Sequence, residues 1–282
     1  MLVHLPTHPH RVTWMLVHLP EGRFALRPEQ RENRGMTDAM RAETVTITGH
    51  GGDGIEAYLA RPVDGGRVGG VVVIHHMPGY DAGTKEIVRR FAVHGYAALC
   101  PNLYSREAPG ADPDDAAARV RAAGGVPDAR LVGDVAGAAE YLRGLDGANG
   151  RIGVIGYCSG GRHTFLAACS LPLDAAVDCY GAFVVNDPSP GIPKHIQPIL
   201  HLAPQLSCPL LGLFGADDIM PAPAETAQLA AELERLGKPY EFHTYDGAGH
   251  AFFAVDRPAY RPAAATDGWR RILEFFGTHL TD

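Results

Sequence analysis

The stretch "RIGVIGYCSGG", residues 151–161, decides how the chain is read. Its first half is a short apolar run suited to a buried strand, and the residues after Gly161 read as a helix. Between the two stands Cys158, flanked by Gly156 and Gly160. A side chain carried on a sharp strand-to-helix turn sits in strained backbone while strand and helix approach closely. Residues two before and two after it must then lack a Cβ. Such a helix aims its free N–H groups and positive dipole end at the turn, which favours a thiolate and stabilises an oxyanion. The competing reading makes Cys158 a small buried hydrophobe in a tight turn, the ordinary fate of a free cysteine.

Outward from this turn the pattern is β, then alternating β and α. "TVTITG" (44–49) and "IEAYLAR" (55–61), separated by "GGDG", predict a hairpin of two alternating strands. "GVVVIHH" (70–76) is a continuous apolar run fit for the middle of a parallel sheet. Helices are expected over 84–94, 114–123, 128–145, 222–236 and 267–280, with strands at "YAALC", "AAVDCY", "PLLGLFG" and "YEFHTY". This alternation implies an α/β fold: a mostly parallel central sheet with helices on both faces and an N-terminal β-hairpin. The stretch 182–208, with Pro at 188, 190, 193, 198 and 204, breaks the rhythm and is expected to form part of a pocket rim.

Residues 1–35 differ from the rest. "MLVHLP" occurs at 1–6 and again at 15–20, and 21–35 is rich in Arg, Glu and Gln without a period. This segment reads as a flexible or misassigned leader, with Met36 a second candidate start and 36–282 a single domain. The formal net charge of -7 gives no reason to expect nucleic acid or anionic membrane as a partner. No apolar run approaches the roughly 20 residues of a membrane span. Five cysteines without a CxxC pair read as reduced thiols in a cytoplasmic protein.

In a parallel sheet the loops after the strands' carboxyl ends line one edge, so residues distant in sequence meet there. Cys158 follows one such strand, Asp217 and Asp218 follow "PLLGLFG", and His250 follows "YEFHTY". Nucleophile, acid, histidine is the chain order of the α/β-hydrolase triad. Each residue alone is ambiguous, for Asp217 could be a turn residue or helix cap and His250 a surface histidine. Their joint placement carries the reading.

These pieces, together with "CPNLYSREAPG" (100–110), "FGADDIMPAPAE" (214–225) and "YDGAGHAFF" (245–253), resemble the dienelactone hydrolase (carboxymethylenebutenolidase) family of the α/β-hydrolase fold. The likeness runs from about residue 44 to the C-terminus. It implies Cys158 as nucleophile, His250 as base and Asp217 as orienting acid, because the family's aspartate stands four residues before a proline, here Pro221. It also implies that Arg106 binds a substrate carboxylate. Two departures stand out: His76 stands where the family has a glutamate that takes part in activating the cysteine, and Ala254 where it has a second arginine that helps hold the substrate carboxylate. His76 is taken as a substrate-pocket residue and His75 as structural.

The mechanism expected from this constellation is acyl transfer from a small-molecule ester or lactone to Cys158, then hydrolysis of the thioester. Backbone N–H groups of Met77 and Ser159 would form the oxyanion hole. Activity would rise between about pH 6 and 8 as a histidine base near its ordinary ~6.5 loses its proton. No cofactor or metal is expected, since neighbouring His75 and His76 on a strand would point to opposite faces. An acyltransferase using the same thioester, and a non-catalytic ligand-binding protein on the same fold, are the alternatives. The oligomeric state is not legible.

Overall fold

Among the described residues, eight strands and six helices build around the apolar runs identified above. The computed structural model describes residues 39–63, 66–187 and 196–282, so the leader expected at 1–35 and the start at Met36 lie outside the described residues. In chain order the elements are β1 (Met40–Thr48), β2 (Gly54–Pro62), β3 (Val68–Ile74), α1 (Ala82–Val93), β4 (Ala97–Pro101), α2 (Pro113–Ala122) and α3 (Asp128–Arg143). There follow β5 (Ala148–Tyr157), α4 (Ser159–Ser170), β6 (Ala175–Cys179), β7 (Leu210–Gly215), α5 (Pro223–Arg235), β8 (Tyr240–Tyr245) and α6 (Pro262–Leu280).

The strands form one sheet in the order β1-β2-β4-β3-β5-β6-β7-β8. The β1–β2 and β2–β4 pairs are antiparallel and the others parallel, as the hairpin followed by β/α alternation requires. Alternation along β3 feeds two cores: Val72 and Ile74 pack on one face with α2, α3, α4 and α5, and Val71 and Val73 on the other with α1 and α6. Truncating a fully buried anchor such as Phe276, between α6 and the sheet, would remove about 3–5 kcal/mol of stability.

Two boundaries depart from expectation. Helix α6 begins five residues before the expected 267, because Pro262 sits in its first turn, where a missing N–H costs nothing. The proline-rich stretch does not serve wholly as rim. Its residues 188–195 lie outside the description, but Ile199, Ala203, Leu206 and Cys208 are buried in the core beside α4 and α5, and Leu200–Gln205 forms a 3-10 turn. No helix among the described residues is long and apolar enough to cross a membrane.

Candidate active site

Cys158 occupies the single residue between the end of β5 and the start of α4, with φ 57° and ψ -121°. A non-glycine residue there is strained by about 1–3 kcal/mol and persists only when its surroundings enforce it. They do: its N–H donates to the Cys179 carbonyl at 3.1 Å, and its own carbonyl accepts from the Gly161 N–H at 2.9 Å. The flanking glycines have the steric cause read from the sequence. A Cβ on Gly156 would lie 2.1 Å from the Gly160 oxygen, and one on Gly160 would lie 2.4 Å from the Ile74 oxygen. Of the five thiols, Cys158 alone is partly exposed, and the other four are buried. Burial pushes the Cys169 and Cys208 thiols up to about 12, far from the reactive thiolate form.

His250 lies in the loop after β8. Its Nδ1 is 2.9 Å from Asp218 Oδ2, and Cys158 is near enough to act on its ionisation. Burial by itself would lower its pKa. The hydrogen bond to Asp218 and the nearness of Cys158, with the charges of both, outweigh burial and push it up to about 10. The imidazole is therefore not a base that loses its proton between pH 6 and 8, as expected from an unperturbed histidine. Tyr180, immediately after β6, presents its ring to His250 at a centroid separation of 5.1 Å.

The carboxylate paired with His250 is not the one expected to orient it. Asp218, not Asp217, faces His250: it is 3% exposed, and its Oδ1 also accepts the Met220 N–H at 2.8 Å. Asp217 is exposed. Its backbone N–H donates to Ala248 at 2.9 Å, tying the loop after β7 to the loop that carries His250. That tie leaves the Asp217 side chain outside and turns the next residue inward. Counting back from Pro221 cannot sense this, because the direction of a side chain in a turn is set by what the turn packs against.

Arg106, expected to bind a substrate carboxylate, is paired with carboxylates of the protein itself. Its Nε donates to Asp53 at 2.7 Å, and its Nη1 and Nη2 hold Asp134 at 2.8 and 2.9 Å. Asp134 is fully buried on α3 and accepts the His50 N–H as well. The guanidinium thus joins α3 to the β1–β2 turn. His76 turns its Nε2 to Asp81 Oδ2 at 2.7 Å, and Asp81 in turn caps α1 through the Thr84 N–H. Burial would raise the Asp81 carboxyl, but hydrogen bonds from His76 and Thr84 hold it well below the usual carboxylate range.

Of the two expected oxyanion donors, Ser159 is the first residue of α4, so its N–H has no partner within the helix. Met77 lies in the loop after β3, where its carbonyl accepts the Tyr104 hydroxyl at 2.8 Å and its sulfur lies 3.3 Å from Arg121 Nη2. The start of α4 lies against the end of β3, just before this loop, since a Cβ on Gly160 would lie 2.4 Å from the Ile74 oxygen and 3.1 Å from the His75 oxygen. Tyr104 and Tyr180 were not singled out from the sequence, although both follow strand ends, where site residues gather. Two open clefts, of about 200 Å³ near Arg41, Arg61 and Ala148 and about 350 Å³ near Pro209 and Tyr240, lie where strands begin and carry none of these residues.

Comparison with known proteins follows the same lines. Residues 55–280 match the model of the dienelactone hydrolase family. A Salmonella typhimurium protein named "Putative carboxymethylenebutenolidase" is 37% identical over 234 residues, covering 81% of this chain and 84% of that one. A Bradyrhizobium protein named "Probable 2-oxo-3-(5-oxofuran-2-ylidene)propanoate lactonase" is 31% identical over 248 residues, covering 86% and 98%. A crystal structure titled as a putative dienelactone hydrolase from Klebsiella pneumoniae superposes with a TM-score of 0.75 at 31% identity, covering 86% of this chain and all of that one.

Proposed function

Because the chain belongs to the dienelactone hydrolase family of ester and lactone hydrolases, we propose that it cleaves small carboxylic esters or lactones through a thioester on Cys158, with His250 and Asp218 completing the triad. The observation that carries this reading is the pairing of His250 with the buried Asp218 beside Cys158, which stands on a strained turn at the start of α4. Asp218 holds the His250 proton on Nδ1 and stabilises the imidazolium, as a triad acid must.

The thiolate attacks the carbonyl carbon, and the carbonyl oxygen becomes an oxyanion facing the N–H groups of Met77 and Ser159. Collapse expels the alkoxide, which takes the His250 proton and leaves an acyl group on sulfur. Water then gives a proton to His250 as it attacks the thioester, and the second collapse releases the acid and restores the thiolate. Each oxyanion donor is worth about 10²–10³ in rate and the histidine about 10²–10⁴. The lactonase name of the Bradyrhizobium relative supports including lactones among the substrates. With Arg106 engaged by Asp53 and Asp134, a substrate carboxylate gains nothing from that residue, and neutral esters are expected to be turned over as well as acidic lactones.

The test is turnover of a panel of lactones and aryl esters by the wild type and by Cys158→Ala. The proposal expects measurable hydrolysis by the wild type and a loss of about 10⁴ or more in Cys158→Ala. Retention of a tenth or more of the activity in Cys158→Ala overturns it.

A further inference from the structure

His75 is buried, at 2% exposure, and both of its ring nitrogens are committed to backbone groups. The Leu103 N–H donates to Nε2 at 3.2 Å, so the ring proton resides on Nδ1, which donates to the His76 carbonyl at 2.9 Å. The Gly79 N–H donates to the same carbonyl at 2.9 Å. That oxygen belongs to the peptide joining His76 to Met77. In a trans peptide the C=O and N–H point in opposite directions, so two donors gripping the oxygen fix where the Met77 N–H points. The following carbonyl, that of Met77, is held by Tyr104, whose ring meets His75 edge-on at 4.7 Å. On the other side, the start of α4 packs directly on this segment, since a Cβ on Gly160 would lie 3.1 Å from the His75 oxygen.

We infer that His75 is a positioning residue, which holds the His76–Met77 peptide so that the Met77 N–H meets the oxyanion formed during acyl transfer. The inference rests on the thioester reading above and adds to it the group that aims one of the two donors. His75 is not itself a base in the reaction, since neither nitrogen is free. Burial lowers its pKa to about 4, so the ring stays neutral and keeps one tautomer across the working range. An aliphatic residue of similar size would leave the Leu103 N–H without an acceptor and the His76 oxygen with one donor fewer. A misplacement of about 1 Å at such a donor is enough to lose roughly 10²-fold in rate.

Full-length wild type, His75→Leu, His75→Asn and His75→Gln are compared by three measurements: kcat and KM on an aryl ester, inhibition by a trifluoromethyl ketone, and alkylation of Cys158 by iodoacetamide. The ketone forms a tetrahedral adduct that needs the oxyanion donors, whereas alkylation creates no oxyanion. For His75→Leu, kcat and ketone affinity should fall together by about 10–100-fold, with KM and the alkylation rate within about threefold of wild type. Asn places a donor where Nδ1 was and should restore most of the loss. Gln reproduces Nε2 instead and should not, an order that carries the test even if the leucine variant fails to fold. Unchanged kcat in His75→Leu, equal rescue by Gln and Asn, or alkylation falling in step with kcat overturns the assignment. If alkylating wild-type Cys158 left turnover intact, the thioester reading itself would fall, and the His75 role with it.

Discussion

Replacing Asp218 by Asn changes one atom type in a buried site and should remove most of the activity. The carboxylate lies 2.9 Å from His250 Nδ1, and its side chain is fully buried. At an effective dielectric near 20, charges about 4 Å apart interact by ~4 kcal/mol, so losing the carboxylate disfavours the imidazolium–thiolate pair relative to neutral imidazole and thiol by up to about 10³-fold. The amide adds a second penalty when its NH2 faces the ring, because it then forces the proton onto the wrong nitrogen. The expected fall in kcat is therefore ~10³–10⁴. An Asn oxygen can still accept the Met220 N–H that Asp218 Oδ1 holds at 2.8 Å, so the loop should survive and Tm should move little. Asp217→Asn is the control, since Asp217 is exposed and its structural tie is made by backbone. Its kcat should stay within about threefold of wild type, in keeping with the small effects of surface substitutions. Steady-state kinetics on one aryl ester, with thermal melts in parallel, decides the matter. A larger loss in Asp217→Asn than in Asp218→Asn would refute the reasoning.

Three further outcomes follow from the same structure. With His250 pushed up to about 10, it stays protonated below that pH and loses its proton above it, so kcat/KM should fall as pH passes through about 10. In Asp218→Asn the limb should move to lower pH, because the hydrogen bond and charge that raise the imidazole are gone, and an unmoved limb would count against the pairing. Arg106→Ala leaves the fully buried Asp134 without its cation, and should lower stability by about 3–5 kcal/mol, or Tm by roughly 6–20 °C, with KM for acidic and neutral substrates changing alike. A selective rise in KM for carboxylate substrates would return Arg106 to the substrate pocket. Asp178, buried at the end of β6 with one oxygen on the Gly181 N–H at 2.7 Å, has its carboxyl raised by burial from 3.8 to about 7. The folded state then keeps a proton that the unfolded chain releases above about 4, so this site's stability is present below 3.8 and lost as pH rises through about 7, by on the order of 4 kcal/mol. Urea midpoints at pH 4 and pH 8 should differ less in Asp178→Asn than in wild type, and an equal difference would remove the carboxyl as its source.

What the sequence made legible is what backbone geometry dictates. Gly156 and Gly160 declared the turn at Cys158 because the contacts they permit are with main-chain atoms, whose placement follows from strand and helix alone. The parallel sheet and the gathering of Cys158 and His250 at its carboxyl edge followed from alternation. The choice between Asp217 and Asp218 was not legible, since both lie in one turn and only the hydrogen bond to Ala248, 31 residues on, decides which side chain enters the site. The pairing of Arg106 was not legible for a related reason. Its local motif matches a carboxylate-binding arginine, yet its partners Asp53 and Asp134 lie 53 and 28 residues away, and nothing near position 106 announces them. The role inferred for His75 depends on a carbonyl one residue along and an N–H 28 residues away, a pattern with no sequence signature.

The covalent step itself is the most direct test. Full-length protein mixed with a slowly deacylated aryl ester and quenched in acid within the first turnover should, on intact-mass and peptide mass spectrometry, carry one acyl group on the peptide containing Cys158. The adduct should be absent in Cys158→Ala and should disappear on incubation at a rate matching steady-state turnover. An active enzyme with no adduct, or with the acyl group on another residue while Cys158→Ala remains active, would contradict the account.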